Sequence, residues 1–229
     1  MVAPLQVDGP PQSASGSQRF RVAVELTIDG DLRYLSHHDT LRLLTRALVR
    51  ANWGIAYSHG FNPLPQVRLP LPRNVGIAST CELALVDLDT PAEPGELSDR
   101  LAAALPPGCT VQRIVAPAVR EMPQPQGVTY ELDVDAAVAE ELAAHIAELL
   151  ARESVCVQRD YGPGKPARTL DIRPYIAALE LEAGTLRMTL QFSEQRTARP
   201  AEVLAELGLA AVDHQHRLRR TEIRWNIIL

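Results

Sequence analysis

Strand-like and helix-like segments follow one another in the order β-α-β-β-α-β, and they do so twice, with a proline-rich segment between the runs. No other feature narrows the fold as far, because each run has to close a sheet under two helices. In "FRVAVELTI" (20–28), Phe20, Val22, Val24, Leu26 and Ile28 fall on one side. Arg21, Glu25 and Thr27 fall on the other, the period of a half-buried strand. Residues 37–52 carry Leu41, Leu44, Leu48 and Ala51 at helical spacing. "IAYS" (55–58) and the proline-limited "VRLPLP" (67–72) are short extended segments, and "CELALVDL" (81–88) is a strand. A helix over 94–108 opens at Pro94 and is stopped by Pro106 and Gly108, and "CTVQRIVAPA" (109–118) closes the run as a strand.

The second run starts with the strand "VTYELDV" (128–134) and a helix over 135–153 with Leu142, Ile146, Leu149 and Leu150 facing inward. "VCVQRD" (155–160) is a strand, followed by the turn "YGPGKPA". Residues 168–192 give two or three more strands, "ARPAEVLAELGL" (198–209) a helix, and "HRLRRTEIRWNII" (216–228) the last strand. The pattern predicts an α+β protein of two tandem ferredoxin-like units with antiparallel sheets. Its parts are a polar tail at 1–18, units at 19–118 and 128–229, and a linker at 119–127. The tail, rich in Pro, Gly and Ser, is expected to be disordered.

With 229 residues, 46% apolar and 22% charged, the chain can bury real cores, and with 4% aromatic residues those cores are mainly aliphatic. No apolar run reaches the length of a membrane span, and the N-terminus has no basic segment followed by an apolar one. A cytoplasmic protein without a membrane partner is expected. Cys81, Cys109 and Cys156 are far apart in apolar settings, with no C-x-x-C pair, and read as buried free thiols. Neither a metal nor a cofactor is expected from them.

Net charge is −5, but it is uneven. Residues 121–229 carry 12 basic and 17 acidic side chains, whereas residues 33–79 hold Arg33, Arg42, Arg46, Arg50, Arg68 and Arg73 against Asp39 alone. Arg42, Arg46 and Arg50 recur every four residues, one column along a helix away from its Leu face. Such a column is either a solvated face or a surface for an anion. Ser36 and Asp39 have the S-x-x-D spacing of a helix cap, which contributes about 1 kcal/mol. "SHGFNPLP" (58–65) is a rigid polar loop, with Gly60 free to take positive φ and Pro63 restricting Asn62. No phosphate-binding G-x-x-x-x-G-K-[ST] loop, G-x-S-x-G elbow or H-E-x-x-H helix is present.

Three motifs carry a resemblance. They are Ser36, His37, Asp39, Arg42, Arg46 and Ala47; then Tyr57, Ser58, Gly60, Phe61, Asn62, Pro63 and Pro65; then Pro70, Leu71, Pro72, Gly76 and Ser79. Together with "DIRPYI" (Asp171, Arg173) and "LRRTEIRW" (Arg220, Thr221), they resemble the bacterial radical-SAM-linked proteins, a domain of unknown function. The resemblance spans about residues 19 to 226, with departures at His59, Leu64 and Arg68. It implies a radical SAM enzyme as partner, supplied in trans because this chain lacks the three-cysteine motif of such enzymes.

The leading expectation is a non-catalytic accessory protein that binds or presents RNA to that enzyme. Arg42, Arg46 and Arg50 would contact phosphates, and Ser58, Gly60, Phe61 and Asn62 would read a base or a turn. A protein-docking module with no RNA contact is the first alternative. An RNA-processing enzyme using His37, Asp39 and His59 for acid–base work is the second. Arg173 and Arg220 have two readings, as internal ion-pair residues holding the halves together or as extensions of the anion-binding surface.

Overall fold

A computed structural model describes residues 19–160, 162, 164 and 166–228. The tail at 1–18 and part of the "YGPGKPA" turn lie outside the described residues. Among the described residues the chain is a mixed α+β protein with a large, mostly antiparallel sheet, four helices of more than one turn and a fifth of a single turn.

The first half runs β1 (Phe20–Ile28), a 3₁₀ turn (Gly30–Tyr34), α1 (His37–Arg50), β2 (Val67–Arg68), β3 (Ala78–Leu88), α2 (Pro94–Ala104) and β4 (Cys109–Val115). β1 pairs antiparallel with both β3 and β4, and β2 pairs with the far end of β3 at Val67↔Val86 and Arg68↔Leu85. Val22, Val24, Leu26 and Ile28 are buried, as their alternation requires, and pack against Leu44 and Leu48 of α1 and Leu97 and Leu101 of α2. Helix α1 stops because Asn52 takes a left-handed conformation (φ 53°), with Trp53 N donating back to Leu48 O. Gly108 is a position where only glycine fits. At φ +87° an added Cβ would lie 2.8 Å from Asp29 O, whose own N–H bonds to Gly108 O.

The second half runs β5 (Pro125–Asp133), α3 (Ala136–Ala151), β6 (Cys156–Arg159), β7 (Arg168–Asp171), β8 (Ile176–Glu182), β9 (Thr185–Gln191), α4 (Pro200–Glu206), the single turn α5 (Ala211–His214) and β10 (Arg219–Trp225). Leu142, Ile146 and Leu149 of α3 and Val203 and Leu204 of α4 pack on Val128, Leu132, Met188 and Leu190. β6 and β7 form a two-stranded sheet of their own, outside the main one. The strand expected at 155–160 therefore belongs to a hairpin rather than to the second half's main sheet.

The two halves do not carry separate sheets. The strand order β4-β1-β3-β10-β5-β9-β8 is continuous, because β10 pairs parallel with the start of β3 at Arg219↔Ala78 and Arg220↔Ser79. The segment between the halves crosses the other face of the first sheet, where Ala118 and Trp225 cover Ala23, Leu83 and Leu85. Cys109 is buried and Cys81 half-buried, but Cys156 is exposed at the start of the β6–β7 hairpin, contrary to the expectation of a buried thiol. The apolar residues beside Cys156 close the core from the neighbouring positions instead: Val155 is buried.

Candidate functional site

The seam between β3 and β10 is built from charge. Arg220, Glu82 and Arg73 are 1%, 2% and 7% exposed. Arg220 Nη2 donates to Glu82 Oε1 at 2.6 Å, and Arg73 Nε stands 3.6 Å from the same oxygen. Arg73 also donates to the carbonyls of Arg33 (2.7 Å) and Ile77 (2.6 Å). Burial works against both charges, but Glu82 beside Arg220, with Tyr130, holds that guanidinium's pKa above its ordinary value. For Arg73, farther from Glu82 and facing Arg220, burial wins and its pKa is lowered. Burial pushes the Tyr130 hydroxyl up in the same cluster. Of its two sequence readings, Arg220 therefore occupies the internal one: a guanidinium this deep and this paired meets no anion from solvent. Arg173 is half-buried and has no ion pair among the described residues; it donates to Leu150 O (2.9 Å) and Arg152 O (3.2 Å) at the end of α3 and to Ile176 O (3.2 Å), all within the second half.

In the α1 motif Asp39, Arg42 and Arg46 are exposed, and Ser36 and His37 half-buried. Ser36 Oγ accepts from Asp39 N (3.2 Å) and donates to Asp39 Oδ2 (2.7 Å), while Arg42 pairs with Asp39 Oδ1 at 3.3 Å. His37 meets His38 edge to face at 5.7 Å, and its Nδ1 is buried with no hydrogen-bond partner. Burial first, then His38, lowers its pKa from the ordinary value. His59 stands against Arg19 at 3.2 Å. No hydrogen bond joins His37, Asp39 and His59 to one another among the described residues, so the pairing an acid–base relay needs is not made in this conformation.

The arginine column divides. Arg50 donates to Ala104 O at 2.5 Å and ties α1 to the end of α2. Arg42 and Arg46 stay exposed, and Arg46 has neither a hydrogen bond nor an ion pair among the described residues. The loop facing them is closed at its neck, where Ser58 N donates to Leu64 O (2.8 Å) and Leu64 N to Ser58 Oγ (2.9 Å). Its tip projects. Gly60 takes φ +152°, Asn62 is exposed and Phe61 is 101% exposed, while Leu64, at the neck, is 65% exposed.

Between α1 and the base of this loop lies a groove of about 480 Å³. Leu41, Arg42, Thr45 and Arg46 form one wall, and Leu64, Pro65, Gln66, Val67 and Arg68 form the other. Two motifs separated in sequence thus share one site. Arg68 belongs to it although sequence reasoning gave it no role; its membership in the basic 33–79 window was the available signal. It is fixed by Asp87 (2.9 Å), which Arg21 also holds at 2.8 Å. Burial alone would raise the Asp87 carboxyl, but the bonds from Arg21 and Arg68 outweigh it and hold it below the usual carboxylate value. The open face of the second half differs. Its hollow of about 310 Å³ mixes Arg187 and Arg224 with Glu180 and Glu222 and has no aromatic residue among the described residues that line it.

One long sheet, a buried ionic seam and an open groove lined by Arg42, Arg46 and Arg68 beside a projecting loop define a mixed α+β protein. The chain belongs to a family described as an uncharacterized protein conserved in bacteria (DUF2344), whose model matches residues 21–200. No curated protein matches it. No helix among the described residues is long and apolar enough to cross a membrane.

Proposed function

We propose that this protein is a non-catalytic accessory factor that binds RNA in the groove between α1 and the 58–68 segment. The observation that carries the reading is the meeting of Arg42, Arg46 and Arg68 with Leu64 and Pro65 around one groove, at the base of a loop whose Phe61 is fully exposed. Guanidinium groups track phosphates, and a projecting aromatic ring offers a platform on which an unpaired base stacks, so the combination suits a single strand. On the sheet face of the second half Arg187 and Arg224 are offset by Glu180 and Glu222, and no aromatic ring is among the described residues that line it.

The strand orders support reading each half as a ferredoxin-like unit. The first half reads β4-β1-β3-β2 and the second β10-β5-β9-β8, the same order when each half's four sheet strands are numbered in turn. A radical SAM enzyme supplied in trans is the partner that the motif resemblance implies, and the bound RNA is its substrate. The cytoplasm is the proposed compartment, and three free thiols suit its reducing chemistry.

The exposed Phe61 and Leu64 also favour a second reading, a module that docks on a protein through an apolar anchor. A pull-down of the tagged chain from native cells after ultraviolet crosslinking separates the two. A defined RNA, lost with the Arg42→Ala/Arg46→Ala variant, supports the first reading. A protein partner recovered without RNA supports the second and removes the first.

A further inference from the structure

A second basic groove, of about 490 Å³, lies in the other half of the chain between the β6–β7 hairpin and the segment leading into α4. Arg159, Arg168, Arg196 and Arg199 line it, with Thr169 and Thr197 between them and no carboxylate among the described residues that line it. This is unexpected in the half of the chain that carries the net negative charge.

Its floor is rigid. Arg159 grips Glu202 with two donors, Nε at 2.7 Å and Nη2 at 2.5 Å, and reaches Thr197 O at 3.0 Å. Glu202 also accepts from Arg199 N at 2.8 Å, so its charge is committed inside the wall. The pair ties the hairpin to α4. The exposed guanidiniums of Arg196 and Arg199, by contrast, pair with no carboxylate among the described residues, and the Thr197 hydroxyl has no hydrogen-bond partner there. Like charges held together on a fixed frame repel one another. A tetrahedral oxyanion relieves that repulsion and accepts several N–H bonds at once, in the bidentate geometry that guanidinium offers and ammonium does not.

We propose that this groove binds a phosphate group through Arg196 and Arg199, on the frame set by Arg159 and Glu202. An RNA phosphodiester and a free phosphorylated small molecule present the same chemistry. The proposal does not depend on RNA binding at the first groove and survives its failure.

The test uses the purified full chain, with the Arg196→Gln/Arg199→Gln variant checked for an unchanged thermal melt and Arg196→Gln alone as the milder form. Inorganic phosphate and a single-stranded RNA of about a dozen nucleotides are titrated separately at low salt, followed by amide chemical shifts. The expected result is that at least one probe shifts residues 168–170 and 195–199, and that its affinity falls about tenfold or more in the variant while Arg42→Ala/Arg46→Ala keeps those shifts. Response to phosphate alone identifies a small-molecule site, and response to RNA assigns the groove to a strand. No shift there with either probe, equal affinity in the variant, or equal competition by a polyglutamate peptide overturns the proposal.

Discussion

Replacing Glu82 with alanine removes the carboxylate that two buried arginines share. Arg220 has most to lose. Its 2.6 Å bond to Glu82 is short, whereas its bonds to Ser79 Oγ (3.5 Å) and Pro72 O (3.4 Å) are long and weak. Arg73 keeps its two short carbonyl bonds and suffers less. Leaving one charge buried without its partner costs about 3–5 kcal/mol, a large part of a stability of roughly 5–15 kcal/mol. The exposed Arg42–Asp39 pair, with side chains 73% and 49% accessible, sets the contrast, because such pairs contribute about 0–1 kcal/mol. Urea unfolding followed by tryptophan fluorescence reads both, since Trp53 is buried with its indole N–H on Leu97 O. Glu82→Ala is expected to lose about 3 kcal/mol or more and Arg42→Ala less than about 1. The double change Glu82→Leu/Arg220→Met should cost less than Glu82→Ala alone, because no buried Arg220 charge is left behind. If Glu82→Ala loses no more than Arg42→Ala, the seam is not held by charge and the reasoning fails.

Three further outcomes follow from the same geometry. The Asp87 carboxyl is held below its ordinary 3.8 by Arg21 and Arg68 despite its burial, so its contribution is present above that value and lost as pH falls through the lower, folded one. Acid unfolding curves of wild type and Asp87→Asn should therefore differ most above pH 3.8 and converge only as the pH falls through the lower, folded value. Burial pushes the Cys109 thiol up to about 12 and raises that of Cys81, while Cys156 is exposed. A thiol reagent at pH near 8 should thus label one cysteine fast in the native protein and three in denaturant; fast labelling of Cys109 would contradict the placement. Phe61→Ala should leave the melting temperature unchanged, since the ring is fully exposed, and weaken single-stranded RNA binding by about 1–3 kcal/mol.

Much of this was legible in the chain. The alternation of Val22, Val24, Leu26 and Ile28 fixes which face of β1 is buried, and the spacing of Leu44 and Leu48 fixes the inner face of α1. The Ser36–Asp39 spacing gives the cap that is observed. The β3–β10 seam was not legible, because it joins Ser79 to a residue 141 positions away and no local propensity encodes such a contact. One trace of it was present. Glu82 falls in the same alternation phase as Ala84, Val86 and Leu88, and an acid in an apolar phase requires a buried partner. The division of the arginine column was hidden for a similar reason. Spacing places Arg42, Arg46 and Arg50 on one stripe, but only the tertiary position of α2 decides that Arg50 is engaged by Ala104 O and that Arg68 takes its place at the groove.

The most direct measurement is the salt dependence of single-stranded RNA affinity for wild type and Arg42→Ala/Arg46→Ala. Each lost phosphate contact on a single strand lowers the slope of log affinity against log salt by about 0.7. Tight binding at low salt, with the slope of the double variant shallower by roughly 1.4, is the expected result. Absence of binding at low salt, or the same affinity and slope in both proteins, would show that the groove between α1 and the 58–68 loop does not hold RNA.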